Sequence, residues 1–129
     1  TSFNMLRKDG MEKERFNELN PTSKQKQTYV EECLSSSEIP VVAATDYMRA
    51  YPEQIRGFIK APYYTLGTDG YGRSDSRQKL REFFEVDATS IARIAIYSLF
   101  RKGDLNKKQI TAFYKKLKVN PSKPNPWEV

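Results

Sequence analysis

The chain has 129 residues, 38% apolar, 12% aromatic and 29% charged, the composition expected of one soluble globular domain or part of one; no apolar run reaches the length of a membrane span. It contains no histidine, which excludes serine–histidine and cysteine–histidine catalysis within the chain, and its single Cys33 excludes an internal disulfide or a cysteine-based zinc cluster and suits a reducing compartment. The net charge of +6 is local: residues 1–100 carry 14 basic and 14 acidic groups, whereas residues 101–118 carry seven basic groups against Asp104. That basic stretch reads first as a solvated terminal helix and second as a contact for nucleic acid or an acidic partner.

The opening Thr1-Ser-Phe-Asn-Met-Leu reads as the end of a strand entering a helix, so a strand near Phe3 and further structure upstream are expected. Glu12 to Leu19 is mostly charged, with Met11, Phe16 and Leu19 on one side, and Asn20-Pro21 stops it. A second helix is predicted from Thr22, with Gln25 completing a capping box, toward Ser35. Its apolar stripe of Tyr29, Val30, Cys33 and Leu34 makes Cys33 a small core residue. Ile39 to Ala44 is an apolar run bounded by turn residues, the pattern of a strand buried on both faces, with Pro40 at its start. Thr45 or Asp46 then caps a helix turning Met48, Ile55, Phe58 and Ile59 inward, which Pro52 kinks or delays.

Tyr63 to Leu66 is the next strand, and Ser76 or Asp75 caps a helix carrying Leu80, Phe83 and Phe84. Asp87 caps Ala88 to Lys102, which Gly103 ends, and Asn106 with Gln109 opens a last helix facing Ile110, Phe113 and Leu117 to the core. Asn120-Pro121 closes that helix, and three prolines keep the tail from Pro121 non-helical, with Trp127 as its anchor. Strand runs alternating with helices predict an α/β fold, with strands near Phe3, Val42 and Thr65 as parallel neighbours and helices on both faces.

The densest chemistry lies in Leu66-Gly-Thr-Asp-Gly-Tyr-Gly-Arg-Ser-Asp-Ser-Arg77, where Gly67, Gly70 and Gly72 permit positive φ and Asp69, Arg73, Asp75 and Arg77 crowd together. Gly67 to Ser74 has the spacing of a phosphate-binding P-loop, but Arg73 stands where that motif needs lysine and Asp69 sits where phosphate oxygens would go. The dinucleotide pattern fails too, because Asp75 replaces its third glycine. A self-satisfied turn is favoured over a ligand cradle, with Arg73, Asp75 and Arg77 as a charge cluster and Asp69 accepting amides or an arginine. Asp46 and Asp69 both fall just past strand ends, where open parallel sheets gather functional groups.

Ala44-Thr-Asp-Tyr-Met48, the glycine stretch and Phe84-Glu-Val-Asp-Ala88 resemble the C-terminal domain of the homodimeric pyruvate dehydrogenase family, and Thr1-Ser-Phe3 and Asn120-Pro extend the likeness over nearly the whole chain. The resemblance implies a transketolase-type C-terminal domain with a mainly parallel sheet between helices, spanning residues 1–120 with a tail at 121–129, its first strand and helix lying before Thr1. It implies a cytoplasmic homodimer that decarboxylates pyruvate with thiamine diphosphate and magnesium and passes acetyl to the lipoyl group of a dihydrolipoyl acetyltransferase component. The cofactor and metal ligands and the catalytic residues of such enzymes belong to preceding domains, and none maps here. Expected partners are therefore the other domains of the subunit, the dimer partner and the acetyltransferase, with no nucleic acid and no membrane. Asp46, Asp69, Arg73, Asp75 and Arg77 become structural-turn or channel-edge residues. A transketolase or another 2-oxoacid dehydrogenase domain, and an independent basic nucleic-acid module, are the alternatives.

Overall fold

The structure, a computed structural model, describes residues 2–129. Ser2 opens α1 (Phe3–Leu19) by accepting a hydrogen bond from the Met5 amide, so Phe3 is the first helical residue and belongs to no strand. Thr1, the other part of the expected strand end, lies outside the described residues. α1 stops at Leu19 as the Asn20-Pro21 pair predicts, and Asn20 Nδ2 donates back to the Phe16 carbonyl at 2.8 Å.

No helix begins at Thr22. Asn17 holds the segment in an open course by accepting from the Lys26 amide at 2.8 Å and donating to the Lys26 carbonyl at 2.9 Å. Gln25, meanwhile, spends its amide on the carbonyls of Asn20 and Ser23. The capping box is formed by Thr28 and Glu31: the hydroxyl accepts from the Glu31 amide at 3.1 Å and the carboxylate accepts from the Thr28 amide at 2.9 Å. It opens α2 (Tyr29–Cys33), which Asp9 ties to α1 by accepting from the Tyr29 amide at 2.8 Å. The helix is too short to bury its whole stripe, so Val30 is buried and Cys33 is exposed, contrary to its predicted place in the core.

The sheet has two strands, β1 (Val41–Ala44) and β2 (Tyr63–Leu66), parallel and paired from Val41 with Tyr63 to Ala44 with Leu66. The expected third strand near Phe3 is absent among the described residues, and β1 is only half-buried, with Ala44 exposed, because a two-stranded sheet cannot enclose it on both faces. The crossover contains α3 (Ala50–Glu53) and a 3₁₀ turn (Arg56–Phe58). Neither Thr45 nor Asp46 caps α3: Arg49 occupies the cap position without a side-chain bond, and the Thr45 hydroxyl accepts from the Tyr47 amide. Pro52 lies in the first turn of α3, where a missing amide leaves no helical bond broken, and the regular helix is correspondingly brief. Ile55 and Phe58 face inward as expected, whereas Met48 is exposed.

One face of the sheet carries the core. Val30, Ile55, Phe58 and Tyr63 are buried together, with Phe3, Leu6, Val41, Ala43 and Ile59 packed on them. Gly10 makes this packing possible: a Cβ there would lie 2.2 Å from the Phe58 ring, so the ring rests directly on the α1 backbone. Burying one such ring contributes about 2 to 3 kcal/mol. On the other face Tyr64 meets Tyr97 of α5 (Ala88–Lys102) edge-on, with ring centres 6.1 Å apart. Helices thus cover both faces of a parallel sheet.

The later helices begin where their caps predict. Ser76 opens α4 (Arg77–Phe83), Asp87 opens α5, Gly103 ends α5 in the left-handed conformation at φ 99°, and Asn106 with Gln109 forms a complete capping box for α6 (Lys107–Lys116). α4 and α6 contain no fully buried residue, and Phe113 is exposed rather than core-facing.

Candidate functional site

Parallel pairing brings the ends of β1 and β2 to one rim, with Thr45 and Asp46 leaving β1 and Gly67, Thr68 and Asp69 leaving β2. The two loops are stitched together: the Thr45 amide donates to the Leu66 carbonyl at 3.0 Å, the Thr68 amide to the Tyr47 carbonyl at 2.9 Å, and the Thr68 hydroxyl to the Asp46 carbonyl at 3.3 Å. Gly67 is where they cross, since a Cβ there would stand 2.6 Å from the Tyr47 carbonyl oxygen and 2.7 Å from the Arg49 nitrogen. Asp69 completes the crossing by accepting from the Arg49 amide at 3.1 Å, with the Arg49 guanidinium at 3.8 Å.

Asp46 faces α4. Its Oδ2 accepts from Arg81 at 2.7 Å and has Arg77 at 3.6 Å. The Arg81 hydrogen bond, helped by the charges of both arginines, holds the Asp46 carboxyl below the usual carboxylate range. The expected cluster of Arg73, Asp75 and Arg77 does not form. Arg73 lies over the Phe83 ring, 3.9 Å from its centre, Asp75 accepts from the neighbouring Ser76 amide, and Arg77 turns to Asp46. α4 explains this: Arg77 and Arg81 stand one turn apart on one face, and that face looks at the end of β1.

Of the three glycines, only Gly70 has positive φ, at 140°, and a Cβ there would lie 3.0 Å from the Pro126 carbonyl oxygen and 3.2 Å from Phe84. Gly72 faces open space and needs no glycine. The tail therefore crosses the glycine turn, where Lys123 clips it: its ammonium donates to the Glu82 carbonyl at 2.7 Å, at the carboxyl end of α4, and pairs with Glu85 at 3.5 Å. Trp127, the predicted anchor, is 48% exposed. Sequence reasoning missed Arg49, Arg81 and Lys123. Only Arg81 had a local signal, its one-turn spacing from Arg77.

Below the rim, Glu53 receives Arg56 in a two-pronged pair and the Thr65 hydroxyl. The Arg56 hydrogen bonds dominate and bring the Glu53 carboxyl down to about 2, against partial burial that works the other way. Tyr63 donates to the Pro52 carbonyl at 2.8 Å, and burial raises its hydroxyl to about 12. Each rim carboxylate is thus occupied by an arginine, and among the described residues no three His, Cys, Asp or Glu side chains converge as metal ligands.

A family described as the transketolase-like TK C-terminal domain matches residues 2–87, from the cap of α1 to the cap of α5. The chain belongs to that family. Curated relatives of this transketolase-type domain align beyond it, through α6 and most of the tail. A pyruvate dehydrogenase E1 component from Pseudomonas aeruginosa is 50% identical over 97% of this chain, and one from Cupriavidus necator is 44% identical over 99%. The Escherichia coli protein of the same name is 40% identical over 98%. In each case the chain spans only 14% of the relative's length.

Proposed function

We propose that the chain is the C-terminal domain of a pyruvate dehydrogenase subunit, spanning residues 1–120 with a tail at 121–129, and that its role there is structural. The identity to pyruvate dehydrogenase E1 components over essentially the whole chain carries this reading. The whole enzyme would be a cytoplasmic homodimer that decarboxylates pyruvate with thiamine diphosphate and magnesium and hands acetyl to a lipoyl group of its acetyltransferase partner. The described helices include none long and apolar enough to cross a membrane.

The rim residues do not fit the cofactor or its metal. Asp46 and Asp69, the carboxylates best placed at the strand ends, are engaged by Arg81, Arg77 and Arg49, and the chain has no histidine. Asp46, Asp69, Arg77 and Arg81 instead fix the two strand-end loops and α4 as one rigid edge for neighbouring domains, with Arg73 and Asp75 on its exposed side. A full-length subunit carrying this chain is expected to release carbon dioxide from pyruvate only with thiamine diphosphate and magnesium. Failure to do so would remove the enzyme assignment. Saturable calorimetric binding of the cofactor to residues 1–129 alone would remove the structural role.

A further inference from the structure

The six excess positive charges arise within residues 101–118, yet the cations there are not alike. Lys102 is neutralised by Asp104 at 2.8 Å. Lys115 and Lys118, at the end of α6, have no carboxylate within ion-pairing distance among the described residues. Both line a cleft of about 1010 Å³ between α6, the glycine turn and the tail. The cleft's other cations are already engaged: Arg49 with Asp69, Arg93 with Glu85 at 2.6 Å, and Lys123 with Glu85 and the end of α4. Its two acids, Asp69 and Glu85, are neutralised locally, and the cations without a carboxylate partner among the described residues are the two lysines.

The way α6 ends reinforces this. α5 stops at Gly103 in a left-handed conformation, where glycine is free of strain. α6 stops in the same manner at Lys118, φ 54°, with the Val119 amide donating to the Tyr114 carbonyl at 3.0 Å. A lysine at that position costs about 1 kcal/mol relative to glycine and keeps an ammonium at the cleft. Trp127 and Tyr114 supply aromatic wall beside it.

We propose that this cleft is a docking groove for an acidic peptide segment, with Lys115 and Lys118 as its charged anchors and Trp127 and Tyr114 as its apolar wall. A cleft this large is at or beyond the upper end of small-molecule sites, which suits a short extended segment better than a single anion. Aromatic wall suits side chains rather than bare phosphate. A nucleic-acid backbone would instead follow a continuous cationic stripe, and Lys107 and Lys108, at the far end of α6, lie outside the cleft.

The test uses the full-length protein carrying this chain and a fluorescein-labelled twelve-residue peptide rich in glutamate, followed by anisotropy. Saturable binding is expected, and Lys115→Glu with Lys118→Glu should weaken it at least about tenfold, a loss of roughly 1.4 kcal/mol. Lys107→Glu with Lys108→Glu makes the same change of charge away from the cleft and should weaken it about twofold at most, as screened rim charges do. Should the reversal variant fail to fold, Lys115→Gln with Lys118→Gln should still weaken binding several-fold. Equal loss in the two α6 pairs would overturn the groove in favour of diffuse attraction. Tighter binding of a single-stranded RNA than of the peptide would overturn the partner class, and no binding to the wild-type protein would overturn the proposal outright.

Discussion

The two halves of the molecule are held by different physics. Up to β2, cohesion comes from apolar contact: Phe58 rests on the α1 backbone at Gly10 and is buried with Val30, Ile55 and Tyr63. From the glycine turn onward, α4 and α6 have no fully buried residue, and the only buried residues of α5 are Ser90 and Ser98. Beside the buried Val86 and the Tyr64–Tyr97 contact, much of the order there comes from helix caps, arginine–carboxylate pairs and the Lys123 clip. Apolar burial is not screened by salt, whereas exposed ion pairs are screened and contribute at most about 1 kcal/mol each. The core half is therefore expected to tolerate salt and fail on changes of volume. The rim and tail should tolerate most side-chain losses but fail where backbone geometry is forced.

The largest effect should come from the core. Phe58→Ala is expected to destabilise by about 3 to 5 kcal/mol in a denaturant titration. Gly10→Ala should also destabilise, by about 1 to 3 kcal/mol, although alanine in place of a mid-helix glycine ordinarily gains stability. The added methyl would meet the Phe58 ring, so a stabilised Gly10→Ala variant would dismantle the packing described for this half.

In the second half the glycine turn should discriminate between its own glycines. Gly70→Ala is expected to cost about 1 to 3 kcal/mol, because φ 140° is closed to alanine and the Pro126 carbonyl is already close. Gly72→Ala should be near neutral by the same melt. Equal effects would mean that neither the positive φ nor the crossing tail sets Gly70 apart from Gly72.

A smaller, pH-dependent effect sits at the boundary. Glu53 has a folded pKa of about 2 against an ordinary 4.5, so its contribution is present above the unfolded value and is lost as pH falls from about 4.5 through about 2. The side chain is about one-third exposed, which reduces the contribution to about 1 kcal/mol. Glu53→Gln should lower stability at pH 7 by that amount and flatten the acid limb between pH 4.5 and 2 in thermal melts.

What was legible in the sequence was mostly local. Ser76, Asp87, Gly103 and the Asn106–Gln109 box each act within four residues of the helix end they define, and all stand where predicted. Thr22 and Thr28 offer rival capping boxes, and the choice fell to Asn17, which reaches across to Lys26. Tertiary pairing is where local reading stops. Arg81 meets Asp46 across 35 positions and Lys123 meets Glu82 across 41, and of the glycine stretch itself Arg77 also turns to Asp46. Arg73 settles on the Phe83 ring and Asp75 on the adjacent Ser76 amide, which leaves neither for the expected cluster. Cys33 was misplaced because α2 ends after five residues, before its stripe can be enclosed.

The central claim is that the strand-end rim is architecture and not catalytic machinery. On the proposed pyruvate dehydrogenase reading, the most direct measurement is pyruvate turnover per folded subunit in the full-length protein carrying Arg81→Ala, taken together with its melting temperature. Loss of the Asp46 pair should lower stability by at most about 1 kcal/mol and leave turnover close to that of the parent enzyme. A selective fall in turnover of tenfold or more, with melting temperature and oligomeric state unchanged, would contradict it and make the rim part of the reaction.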